Sequence, residues 1–440
     1  MDINGFGNGI MKNILLTFIL FFNASNIVRA EDQTEFLKHL RYITHQVQWL
    51  PLHVPSSPAT DVETILSYLS LSYLQGYNPV PKFKNVIYNN RYLAYNNYNL
   101  FVSAHGPQAL ILDMNGQILH QWYFKCTSIP GLNKEFCPNS DYWVKAHVLD
   151  NGDLIAMVPY VGLIKLDGNS NLLWFTQGIF HHDFTIASNG DIYVLSMKKS
   201  TLNNAPIIMN NVSIYSASGK LIKVISLYDL FKKYPDPSYL KKIENPVISM
   251  DQPFALYGQG DTFHANSIQI ITKEDAQHSK IFKEGQLLIS VREMGLIMAI
   301  DPSLEKIVWL MDAGIWHKGQ HSAKLLNNGN ILIFDNFYTK TLSRVIEFDP
   351  LSRKIIWDFK TSENAENKFF SGLIGECYRL PNNNTLITES TNGHSFEVTP
   401  DKKIVWEFYN PHQGGGHFIA VTYQMERIDS NAVNKWLKIK

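Results

Sequence analysis

The chain has 440 residues and a formal net charge of zero. That length allows one large domain or two ordinary ones, and the neutral balance argues against a general nucleic-acid-binding or anionic-membrane surface. Its 9 Trp, 21 Tyr and 25 Phe point to a β-rich core or an aromatic-lined pocket.

The N-terminus reads as a secretory signal over residues 1–30. Met11-Lys12 opens a basic region, Ile14–Phe22 is apolar, and Val28-Arg29-Ala30 offers a small-residue cleavage site before Glu31. The apolar run of nine residues is well short of the ~20 that a spanning helix needs. The expectation is a periplasmic or secreted protein with no membrane association after cleavage. In such an oxidising compartment Cys126 and Cys137, which flank one loop, are expected to pair. Cys377 sits in an apolar run and reads as a buried small hydrophobe.

Residues 31–95 differ from everything after them. FLKHLRYITHQVQWL and Asp61–Gln75 both carry apolar residues at helical spacing. Asp61 is a possible N-cap, and Glu63 falls where the helix dipole favours negative charge. This is read as a short helical segment whose end is marked by Pro79 and Pro81.

From residue 96 to the C-terminus a unit of short β-type runs repeats. Each has a Gly or Asn, an apolar strand, a turn, a second strand ending near Asp, another turn, and a third strand ending in Trp. Clear copies are Gly152–Phe175, Gly285–Leu310, Gly329–Phe359 and Asn384–Phe408; weaker ones are Leu100–Phe124 and Gly190–Leu227. Trp122, Trp174, Trp309, Trp357 and Trp406 recur at a period of about 50 residues, one interval being widened by an insertion after Leu227 and by one copy that lacks its Trp. A single unit of this kind cannot bury both of its faces, so its copies must stack into a ring. The expected fold is all-β: a six-bladed β-propeller with a short helical N-terminal segment.

The strand before each unit supplies a fourth, innermost strand. Aligned on it, Val144, His182, His264, His321 and Glu376 take the lead position, and His417–Val421 fits the same template at the far end of the chain, where it would close the first blade. Innermost strands converge on the central channel, so these side chains would share one funnel. Arg292, at the end of the strand after His264, would lean in as well. Asn266 would face the same side as His264 and donate to an anionic oxygen. Alternation sends His181 and His182 to opposite sides; His182 is favoured for the channel and His181 is the alternative. His147 is out of register and reads as structural. Arg344 is a second strand arginine without the link to His264. A lone His opening a strand is usually a hydrogen-bonded structural residue; three in one repeat register are harder to dismiss.

An imidazole kept neutral is a nucleophile, Arg offers fixed donors to a tetrahedral oxyanion, and a second His can protonate a leaving oxygen. That set suits transfer of a sulfuryl or phosphoryl group through a covalent His intermediate.

HHDFTIASNGDI, FHANSI, LLISVRE and QHSAKLLNNGNILIFDN followed by SRVIEFD resemble, in wording and order, the bacterial aryl-sulfate sulfotransferase family over about Gly178–Phe408. The resemblance implies an exported six-bladed propeller that moves a sulfuryl group from a phenolic sulfate ester to a phenolic acceptor, ping-pong, through a sulfohistidine and without a nucleotide donor. It implies His321 as nucleophile, with His264, Arg292 and His182 around the sulfate and the leaving oxygen, and no cofactor. No phosphate-cradling Gly-rich motif occurs in the chain. The family's large N-terminal β-domain, which makes dimer contacts, is replaced here by the short helical segment, so a homodimer is an expectation that the sequence leaves open. Two other classes remain: a metal enzyme with axial histidines holding Fe or Zn, against which Arg292 argues by its charge, and a non-catalytic binding propeller.

Overall fold

The computed structural model describes residues 76, 78–82, 84–138, 141–203, 205–244, 261–317, 319–414 and 418–437. The signal sequence, the two helical runs before Gly76, and His417 lie outside the described residues.

Six antiparallel sheets form the six blades. Their innermost strands are Thr422–Ile428, Lys145–Val148, Phe180–Ile186, Ala265–Ile270, His321–Leu325 and Glu376–Arg379 for blades 1 to 6. Each packs against the innermost strand of the next blade, all the way round the ring. The blade is an alternating apolar pattern that the neighbours bury, and it repeats as six apolar clusters, one per blade interface. At about 25 cal/mol per Å² of apolar surface buried, these interfaces rather than any one blade carry the stability.

The repeated tryptophan has a definite task. At Trp174, Trp357 and Trp406 it lies on the last strand of the repeat unit and reaches the next blade's last turn. Trp357 Nε1 donates to the Pro400 carbonyl at 2.8 Å and Trp406 Nε1 to the Met114 carbonyl at 3.0 Å. Trp174 packs against Gly219, whose left-handed φ of 75° and tight contact exclude a side chain there.

The chain closes the ring with its C-terminal strand, as the repeat alignment requires, but five residues later than expected. The paired strand is Thr422–Ile428, hydrogen-bonded to Tyr98–Ser103. Residues 418–421 precede it with only isolated bridges at Phe418 and Ile419.

Two further departures fall in blade 6. Asn85–Asn89, within the segment read as helical, is a strand added to the outer edge of blade 6, opposite Trp406–Tyr409. The left-handed turn residue of that blade is Asn383 (φ 67°), not Asn384. The long loop of blade 4 holds a helix, Lys273–Gln277, with Thr272 and Asp275 forming a capping box. The insertion after blade 3 begins with the helices Leu227–Lys232, capped by Ser226, and Pro237–Glu244. Cys126 and Cys137 are joined in a disulfide between blades 1 and 2. Among the described residues no helix is long and apolar enough to cross a membrane.

Candidate active site

The innermost strands of blades 3, 4 and 5 are each irregular at their channel ends. Strand pairing slips beside Phe180–Phe184, between Ala265 and Ser267, and between His321 and Lys324. His182 and His264 have left-handed backbone, with φ of 60° and 47°. For a residue with a Cβ that conformation costs roughly 1–2 kcal/mol, and such strain persists where packing over-determines it, often at functional sites. Here it turns imidazoles out of the sheet plane towards one another.

The His182 ring lies 4.8 Å from that of His264, edge to face, and 6.5 Å from that of His321. His181 does not point away as strand alternation requires. The left-handed residue beside it breaks the alternation, and its Nδ1 sits 2.8 Å from His182 Nδ1, so one ring donates and the other accepts. His181 is buried behind His182, which is the ring that meets His264 and His321.

His321 is held in one tautomer. Asn336 Nδ2 donates to the carbonyls of Ser371 (2.7 Å) and Ile374 (3.2 Å). The Asn336 Oδ1 is therefore the acceptor that faces His321, and His321 Nδ1–H donates to it at 2.8 Å and to the Gly319 carbonyl at 2.9 Å. The other nitrogen, Nε2, is left with its lone pair, buried and without a hydrogen-bond partner among the described residues. Burial and then the Arg292 charge push the His321 pKa down to about 3. Burial and the neighbouring imidazoles and Arg292 hold His182 well below the ordinary range, and burial takes His181 to about 4.

His264 has a different partner. Asp261 Oδ2 is 2.9 Å from His264 Nδ1, and Asp261 Oδ1 accepts from the His264 backbone N–H at 3.0 Å. Asn210 of blade 3 clamps the pair, donating to Asp261 Oδ1 and accepting from Ala265 N–H. Burial alone would raise the Asp261 carboxyl, but His264, its hydrogen bonds and His181 outweigh it and hold it below the usual range. A carboxylate that fixes one ring nitrogen turns the other towards the site and stabilises an imidazolium.

Arg292 is 7% exposed, paired with Glu293, and its Nε has no partner among the described residues. Its backbone N–H donates to the His264 carbonyl at 3.1 Å, which ties it to that strand. Arg344 is occupied elsewhere, bound to Asp335 Oδ2 at 2.9 Å and to the Ile315 carbonyl.

Two expected roles change. Asn266 donates its amide to the Gln320 carbonyl at 2.7 Å and leaves Oδ1 buried without a partner among the described residues. Instead of offering that donor to an anion, it fixes the peptide that leads into His321, and Gln320 in turn donates to Ser290, Val291 and Leu296 of blade 4. Glu376 is paired opposite the fourth residue of the next strand, Thr388, as His321 is opposite Phe334. The register is right, but the carboxylate is taken by Lys145 of blade 2 at 2.7 Å and by Tyr378 OH at 3.0 Å. Asp183, 3.6 Å from Lys145 and 3.7 Å from Lys324, joins this axial ion network. Burial raises the Glu376 carboxyl while Lys145 opposes it. Glu376 is thus neutralised within the channel and is not among the histidine contacts. Cys377 is buried, its thiol pushed up to about 12 by burial.

Asp261, Asn336 and Asn210 were missed by the sequence reading. Asp261 stands three residues before His264 and Asn336 ends the FDN run, but neither position repeats between blades. Among the described residues no group of three or more His, Cys, Asp and Glu is disposed to hold a metal ion.

No curated protein sequence matches the chain. Among solved structures, similar folds include a protein of unknown function from Bacteroides caccae (10% identity, TM-score 0.47, covering 75% of this chain and 98% of that one). A streptogramin B lyase is 12% identical, with TM-score 0.42 and coverage of 79% and 98%. A catalytically inactive virginiamycin B lyase from Staphylococcus aureus with quinupristin is 10% identical, with TM-score 0.42 and coverage of 75% and 89%. The family described as Arylsulfotransferase (ASST) matches residues 163–411, the stretch that contains every histidine of the cluster, and the chain belongs to that family.

Proposed function

We propose that this sulfotransferase moves a sulfuryl group from a phenolic sulfate ester to a phenolic acceptor by way of a sulfohistidine at His321, with no nucleotide donor. The observation that carries the reading is the His321 tautomer. Its Nδ1–H is committed to Asn336 and Gly319, and its Nε2 is a neutral, buried lone pair with no hydrogen-bond partner among the described residues.

In the first half-reaction His321 Nε2 attacks the sulfur of the ester. The N–S bond forms as the S–O(aryl) bond breaks. Protonated His264, held at Nδ1 by Asp261, gives its Nε2 proton to the departing phenolate oxygen. Arg292 carries charge that develops on the sulfuryl oxygens. In the second half an acceptor phenol gives its proton back to His264, its oxygen attacks sulfur, and the N–S bond breaks to restore the His321 lone pair. His182, kept neutral by burial, can donate or accept towards the group in flight without adding charge. The signal-like N-terminus and the Cys126–Cys137 disulfide support action in an oxidising compartment outside the cytoplasm.

The test is incubation of purified protein with 4-nitrophenyl sulfate, with and without phenol. Phenol-dependent nitrophenolate release and an added sulfuryl mass on the peptide containing His321 are expected, and His321→Ala should abolish both. Release that persists in His321→Ala, or that a chelator abolishes, would sink the reading.

A further inference from the structure

Outside the histidine cluster the described residues contain one other buried, fully engaged imidazole. His394, on the third strand of blade 6 (His394–Val398), has Nδ1 2.8 Å from Glu389 Oε2 and Nε2 2.9 Å from Glu407 Oε1. With a carboxylate at each nitrogen, the form that donates from both, the imidazolium, is the one these partners favour. The ring stacks on Tyr409, centroids 4.3 Å apart. Glu389, Glu407 and the Tyr409 phenol are the titratable groups that face it.

Glu389 is not spent on His394 alone. Its Oε1 accepts from the Phe370 backbone N–H at 2.8 Å and from Asn392 Nδ2, and Asn392 also donates to the Phe370 carbonyl at 3.2 Å. The next residues are those that grip Asn336. Ser371 and Ile374 supply the two carbonyls that fix its amide, and Ser343 Oγ accepts from Ser371 N–H at 2.9 Å while donating to the Asn336 carbonyl at 2.7 Å. A continuous chain therefore runs from Glu407 through His394, Glu389 and the 370–374 segment to Asn336 and His321.

We infer that Glu389, His394 and Glu407 form a positioning relay that locks the 370–374 segment and, through Asn336, the His321 tautomer with its proton on Nδ1. The inference rests on His321 being the nucleophile. It assigns no contact with substrate to the three residues. It gives them control of whether Nε2 carries the lone pair, because a ring that flips its tautomer puts a proton where the sulfur must bind.

The relay has a direction in pH. Burial lowers the His394 pKa, but the hydrogen bonds and charges of Glu389 and Glu407 outweigh it and raise it above the usual value. Above that raised pKa one ring nitrogen becomes an acceptor facing a carboxylate, and the segment loses its anchor. Turnover should therefore carry an alkaline loss that follows His394.

The experiment compares the wild-type protein, His394→Gln and Glu407→Gln by kinetics against pH and by NMR of 15N-labelled histidine, with His321 assigned by comparison with His321→Ala. His394→Gln should lower kcat by about tenfold with KM nearly unchanged, remove the part of the alkaline loss that follows His394, and populate the other His321 tautomer. Glu407→Gln, which keeps a neutral partner at Nε2, should move that loss down by about one pH unit; it is the deciding variant if His394→Gln does not fold. Wild-type kcat with an unmoved alkaline loss and an unchanged His321 tautomer overturns the relay. If the wild-type protein transfers no sulfuryl group, the proposed function fails, and the His321 tautomer in the two variants still decides the relay.

Discussion

The two site histidines with the clearest partners differ in what lies behind them. His321 is backed by an amide oxygen and a carbonyl, which fix a tautomer without favouring a charge. His264 is backed by the Asp261 carboxylate, a charged acceptor that anchors its Nδ1–H. A neutral nucleophile and a proton carrier are thus separated by the choice of Asn336 in one place and Asp261 in the other. The consequence can be measured with donors of different leaving groups. Nitrophenolate needs little help to leave, whereas an unsubstituted phenolate needs a proton. Asp261→Asn should cost roughly 10²-fold in kcat with phenyl sulfate and much less with 4-nitrophenyl sulfate. An equal loss with both donors would mean that Asp261 serves only to hold the strand. How much of this was legible in the sequence follows residue by residue. His264, His321 and Arg292 show because a repeat register marks two of them and a strand end marks the third. The partnership of His181 with His182 does not show, because left-handed backbone at His182 cancels the alternation on which strand reasoning depends. Asn336 acts through a contact between elements, and Asp261 through a local contact that no other blade repeats, so no repeat pattern encodes either.

At the scale of the element, the blade was legible and its edges were not. Alternating apolar runs with Gly or Asn turns are local signals, and the six sheets follow them. Asn85–Asn89 pairs with Trp406–Tyr409, more than 300 residues away, and the sequence NVIYN carries too little alternation to announce a strand. The closing strand was legible as a need of the ring, since an unpaired Tyr98–Ser103 would be an open edge, but its register was not. The tryptophans show how an element mark becomes an energetic one. Trp406 is fully buried, donates to the Met114 carbonyl, and carries the Arg427 guanidinium 4.9 Å above its ring. Trp406→Phe removes the donor, leaves that carbonyl short of a partner and opens space, a loss of about 2 kcal/mol. Trp357, whose bond to Pro400 is at an exposed position, should lose under about 1 kcal/mol on the same change. Denaturant midpoints of the two variants check this; equal shifts would show that the clasp does not depend on burial. Neither variant should change kcat, since neither ring touches the histidine cluster.

For the whole molecule, the site imposes a cost that pH reveals. His181, His182 and His321 are kept neutral by burial, with His321 at about 3 and His181 at about 4. In the unfolded chain each would titrate near 6.5. Between about pH 6.5 and the lower folded values the unfolded state therefore binds more protons than the folded one, and stability falls as pH falls through that window. Asp261, held below its usual range, adds to the loss further down, where its carboxylate is protonated. His394 acts in the opposite sense. Its raised folded pKa gives stability that is fully present below about 6.5 and is lost as pH rises through the raised value. The two groups of histidines together should give a stability optimum at neutral pH, with the acid side steeper because more groups contribute to it. Thermal unfolding from pH 8 to pH 4 checks this, and the variants apportion it. His321→Ala should lessen the acid-side fall, because one buried neutral imidazole is gone. His394→Gln should leave the acid side as it is and flatten the alkaline side. If His321→Ala melts with the same dependence on pH as the wild-type protein, the imidazole is not held neutral, and the reading of its Nε2 as a free lone pair fails with it.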